Sequence, residues 1–79
     1  MDGMAYQIVR YLQQHGEAEV IEIARRVFGK HAVTKVNRWQ LEIGIYYRLL
    51  EMSELVLNSS PMPKAPLEER VEASRWKLK

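Results

Sequence analysis

Five cations stand in the segment from Arg25 to Leu41, and no acid interrupts them: Arg25, Arg26, Lys30, Lys35 and Arg38. Guanidinium and ammonium groups in such a run suit the neutralisation of phosphate oxygens. Asn37 and Gln40, in the same segment, carry amides that can pair with base edges, as can Arg38. The acids sit elsewhere: Glu17, Glu19 and Glu22 before the run, Glu51 and Glu54 after it, and Glu68, Glu69 and Glu72 near the end. The net charge of +2 decides little. Its segregation predicts one electropositive face. A second, looser group of cations lies among and after the prolines and includes Lys64, Arg75 and Lys77. The acids among them dilute its field.

Other chemistry finds little footing. The chain has no cysteine, which removes disulfides, thiolate zinc sites and thiol nucleophiles. His15 and His31 stand without ligand partners at metal spacing. His15 suits the last turn of a helix, where a cation meets the negative end of the dipole. The sequence holds no glycine-rich phosphate loop, no nucleophile elbow and no HExxH. The expectation is a protein without catalysis, metal or cofactor.

These residues need elements to hold them. Ala5, Ile8, Val9 and Leu12 recur at helical spacing and predict a helix over 2–15, with Asp2 as N-cap and Gly16 as its stop. Val20, Ile23, Ala24 and Val27 predict a second helix over 20–28, closed by Gly29. Residues 18–20 could instead form one small strand, with the helix starting near Ile21. A third helix is expected over 35–53, with Thr34 as a cap. Leu41, Ile45, Leu49 and Met52 form one apolar stripe there, and Ile43, Tyr46, Tyr47 and Leu50 a second. A helix apolar on two sides is buried on both or has a partner. Gly44 offers a point at which this segment divides in two. Trp39 either packs under the long turn or meets a partner. Of the adjacent Tyr46 and Tyr47, one is expected in the core and the other outside.

After Ser53 the period shortens to that of a strand at Leu55–Leu57. Pro61, Pro63 and Pro66 then break regular structure. Residues 71–78 can run as a strand, with Trp76 and Leu78 on one face and Arg75 and Lys77 on the other. The expected order is helix, short strand, helix, helix, hairpin, in a single α+β domain.

That order resembles the winged helix-turn-helix plan: three helices and a C-terminal β-hairpin wing over about 54–79. The stretch HGEAEVIEIARRVFG (15–29) is similar to the second-helix region of such domains. YYRLLEMSELVLNSS (46–60) resembles a recognition helix entering the first wing strand, and SRWKL (74–78) the closing strand. Small fimbrial phase-variation regulators have a similar plan. More weakly, Tyr47 and Trp76 resemble the tyrosine and tryptophan of Z-alpha domains, which bind left-handed duplexes. The resemblance implies a DNA-binding transcriptional regulator that docks its third helix in the major groove. It implies contacts from the 25–41 segment, from Tyr47, and from a wing bearing Lys64, Arg75 and Trp76. The stretch 30–41 is longer than the plan requires, so the contact surface can move onto that loop. Two alternatives remain: a winged-helix module that binds protein, and a binder of Z-form duplex or double-stranded RNA.

The expected partner is double-stranded DNA. The short core also leaves a homodimer or a protein partner open. No apolar run approaches the ~20 residues that span a bilayer, so no membrane role is expected. The absence of cysteine in so small a chain points to a reducing cytoplasmic compartment.

Overall fold

A carboxylate starts the first helix, and a glycine ends it. Asp2 accepts a hydrogen bond from the Ala5 amide at 2.9 Å, and α1 runs from Gly3–His15. Gly16 then turns the chain with φ of +80°, a conformation that a side chain at Cα disfavours. The computed structural model describes residues 2–79.

Beyond Gly16 the chain makes both of the elements weighed for this stretch. Strand β1 covers Glu17–Glu19, and α2 follows at once over Val20–Phe28. Glu19 and Glu22 cap α2 reciprocally, as in a capping box. Gly29, at φ +99°, ends it.

The third helix, α3, spans Arg38–Glu51 without a break at Gly44. The ~1 kcal/mol helix penalty of glycine is outweighed by burial of Ile45 and Leu49 beside it. Its start lies later than Thr34 suggests. Thr34 and Asn37 bond each other instead: the Thr34 amide donates to Asn37 Oδ1 at 2.7 Å, and the Asn37 amide to Thr34 Oγ1 at 3.4 Å. Their mutual closure makes residues 35–37 a turn, and the helix proper begins at Arg38.

Strand β2 covers Val56–Asn58 and β3 covers Arg75–Leu78. They pair antiparallel, with Val56 opposite Leu78. Strand β1 joins the other edge of β3, so the sheet order is β1-β3-β2. Residues 71–78 are therefore not one strand, and the described residues form four helices where three were expected. Leu67–Ala73 forms α4. Three causes favour it. Pro66 presets the backbone at the N-cap, Glu68 and Glu69 complement the positive end of the helix, and Val71 is buried against α2 and α3. The described residues form an α+β domain of four helices and one three-stranded antiparallel sheet.

One core serves all the elements. Ile8 and Leu12 of α1 meet Ile23 of α2, Ile45 and Leu49 of α3, Val71 of α4 and Trp76 of β3. Full burial of each aliphatic side chain contributes about 1.5–3 kcal/mol. No helix among the described residues is long and apolar enough to cross a membrane.

The α1 cap gives the fold an acid-sensitive element. The Ala5 amide and the Arg48 guanidinium hold the Asp2 carboxyl below the ordinary range, and the Ser59 hydroxyl and Arg75 do the same for Glu17. A depressed carboxyl pKa adds stability above the unfolded-state value and loses it as pH falls through the folded-state value. Thermal midpoints are expected to drop on acidification from ~pH 6 to ~pH 3. Asp2→Asn keeps a capping oxygen without the charge, so its melting curve should fall less over the same interval. An equal fall in both proteins would show that Asp2 carries none of the effect.

Candidate nucleic-acid interface

The acid-free segment occupies two elements and the loop between them. Arg25 and Arg26 lie in the last turn of α2, and Lys30 just past its end. With Tyr11 and Glu22 they line an open cleft of about 360 Å³ between α1 and α2. Glu22 is engaged there. It accepts from the Glu19 amide at 3.0 Å and from the Tyr11 hydroxyl at 3.4 Å. Burial, and then Glu22 itself, pushes the Tyr11 phenol above its usual pKa, so that hydroxyl stays a donor. Lys35 lies in the turn before α3, and Arg38 opens that helix.

Exposure and pairing separate the cations into two kinds. Arg25, Arg26, Lys30 and Lys35 are exposed, and among the described residues none has a carboxylate within 4.0 Å. The remaining arginines with partners are committed. Arg38 Nε lies 2.9 Å from Glu42 Oε2. Arg48 pairs with Asp2 and Glu51. Arg75, half-exposed on β3, sits 3.4 Å from Glu17 and 3.8 Å from Glu19 on the neighbouring strand. The end of α2 and the loop after it thus carry four unpaired cations on one segment, while Arg10, Lys77 and Lys79 are exposed and, among the described residues, unpaired on other elements. Lys64 is exposed ahead of α4, away from any carboxylate among the described residues.

The other expected contact residues have mixed placements. Gln40 is exposed in the first turn of α3. The Asn37 side chain is spent on the backbone: its amide nitrogen donates to the Ala32 carbonyl at 2.7 Å while its oxygen takes the Thr34 amide. It shapes the loop that carries Lys35. Tyr47 faces outward at 48% exposure. Trp76 faces inward at 3%, and its Nε1 donates to the buried Ser74 hydroxyl at 2.9 Å. Its ring packs edge-on against Tyr46, with centroids 5.9 Å apart. Trp76 is thus a core residue, and its polar atom is already paired.

Two features lay outside the expected set of contacts. Glu42 is buried at 2% exposure beneath the first turn of α3, where it anchors Arg38. Its spacing of four from Arg38 was the available signal. Trp39 is exposed at 40%, on the outward side of α3 with Tyr47 and Leu50. The second apolar stripe of the helix signalled this surface. The structure buries Tyr46 from that stripe and leaves Tyr47 and Leu50 outside.

No known protein family, characterised protein or solved structure matches this chain.

Proposed function

We propose that this protein is a winged helix-turn-helix module that binds duplex nucleic acid, as a DNA-binding regulator, through the end of α2, the loop after it and the first turn of α3. The observation that carries this reading is that four exposed, unpaired cations, Arg25, Arg26, Lys30 and Lys35, fall on one continuous acid-free segment. Unpaired surface cations on one continuous segment supply the sequence-independent part of duplex affinity. The element order and the β1-β3-β2 sheet support the winged plan, with β2, α4 and β3 forming an elaborated wing. Gln40, exposed in the first turn of α3, is the side chain offered to a base edge, while Arg38 stays with the buried Glu42. Lys64 lies on the wing as an additional phosphate contact.

Fluorescence anisotropy with a mixed-sequence duplex at a series of salt concentrations tests the proposal. Binding should weaken with a log–log slope of about −3 to −4, near one unit for each phosphate contacted. A slope near zero, or no binding at ~50 mM salt, would reject the reading.

A further inference from the structure

A helix that reads a fully stacked duplex presents amide, hydroxyl and guanidinium groups to the base edges. The outward side of α3 presents mostly something else. Trp39, Tyr47 and Leu50 follow one another at spacings of eight and three, which places them along one side of the helix, with Ile43 between them packed against the core. Trp39, Tyr47 and Leu50 are 40%, 48% and 46% exposed. Val36, at 95%, is exposed in the turn before α3 that also carries Lys35. At the other end Leu50 shares a shallow hollow with Leu57 and the exposed Lys79. An aromatic and aliphatic surface therefore runs from one unpaired lysine to another.

Flat aromatic faces between cations match the chemistry of unpaired nucleobases on a phosphate backbone. Such bases expose π-faces that a stacked duplex hides, and their phosphates meet the flanking lysines. The charge argues for an anionic occupant over a neutral face, and the exposed rings of Trp39 and Tyr47 argue for bases over an acidic peptide. Lys35 and Lys79 bound the surface, and Glu51, the acid of α3 nearest its far end, is already held by Arg48.

We infer that α3 binds unstacked bases, so that the protein favours nucleic acid with a gap, bulge or single-stranded end over a continuous duplex. This inference rests on the nucleic-acid reading above and names the form of nucleic acid that the same surface takes. The cations of α2 and its loop hold the paired arm, while Trp39 and Tyr47 stack on the bases left without partners.

The test compares a blunt duplex, the same duplex with a three-nucleotide bulge, and a single strand of equal length, each titrated by anisotropy. The bulged duplex should bind about tenfold tighter than the blunt one. Trp39→Ala should erase that preference, so that the bulged and blunt duplexes bind alike. Trp39→Phe should retain most of it. Trp76 is buried, so Trp39 dominates any fluorescence quenching by bases, and that quenching should vanish in Trp39→Phe. Circular dichroism verifies that each variant is folded. Equal affinity for blunt and bulged duplexes overturns the inference and leaves duplex binding standing. Absence of salt-dependent binding to all three removes both. Concentration-dependent self-association that Trp39→Ala abolishes, or docking of a protein partner that the bulged duplex fails to displace, also overturns it.

Discussion

Replacing Arg25, Arg26, Lys30 and Lys35 together by Gln is expected to lower duplex affinity about a thousandfold at ~0.1 M salt and to flatten the salt dependence by 3 to 4 slope units. Each of these side chains is exposed and has no carboxylate partner among the described residues, so its full charge is available to phosphate. The fold should survive, because none of the four belongs to the core. Circular dichroism and an unchanged melting temperature verify that. The informative control is Arg75→Gln. Arg75 has the same formal charge and lies on the expected wing, yet Glu17 and Glu19 already satisfy it. Its removal should change affinity less than ~3-fold, a small effect beside the one-unit slope of a phosphate contact. If Arg75→Gln weakened binding as much as the loss of an unpaired cation, the contact surface would be the wing and the assignment to the α2 end would be wrong.

The second large effect concerns stability. Trp76→Ala is expected to cost about 3–5 kcal/mol. For a domain of this size that lowers the melting temperature by roughly 15 °C or more. The indole fills the space between the sheet and α3, edge-on to Tyr46. Its removal leaves a cavity that cannot close without moving β3, which is the central strand. Trp76→Phe separates packing from polarity. It keeps a ring but leaves the Ser74 hydroxyl, 1% exposed, without the indole that donates to it. Leaving a buried polar group unpaired costs about 1–3 kcal/mol, so this variant should melt between wild type and alanine. Both variants should bind nucleic acid with wild-type salt dependence at temperatures where they stay folded. A stable Trp76→Ala protein with impaired binding would instead return Trp76 to the contact surface.

These two results divide along a line already visible in the chain. Local signals settle α1: the Asp2 carboxylate reaches its own third amide onward, and Gly16 takes the positive φ that ends the helix. The same holds for Gly29 at the end of α2. The charge run was equally legible, because the absence of acids between 25 and 41 is a property of the sequence. The candidate site was legible as a list of cations but not as a set of free ones. Arg75 and Lys35 look alike in sequence. What separates them is that β1 lies beside β3 and brings Glu17 and Glu19 to Arg75.

The segment before β3 shows the limit of local reading. Alternation over 71–78 allowed a strand, and the pattern of Trp76 and Leu78 against Lys77 is retained in β3. Residues 67–73 became helical because Val71 found a place against α2 and α3, a contact far away in sequence. Tyr46 and Tyr47 make the same point at single-residue scale. Adjacent positions on a helix differ by about 100°, so periodicity requires one of them to leave the core without naming which. Trp76 decides it by packing on Tyr46 and leaving Tyr47 outside.

The sequence by itself therefore determined the caps of α1, the glycine stop of α2, the amphipathic stripes of the first three helices and an acid-free basic run, because each depends on residues within a few positions of one another. Only the tertiary structure decided which cations stay unpaired, which aromatics face outward and that the chain before β3 folds as a helix. Those outcomes depend on neighbours supplied by other elements. The basic run thus begins as composition and becomes a surface where the fold leaves Arg25, Arg26, Lys30 and Lys35 without carboxylates.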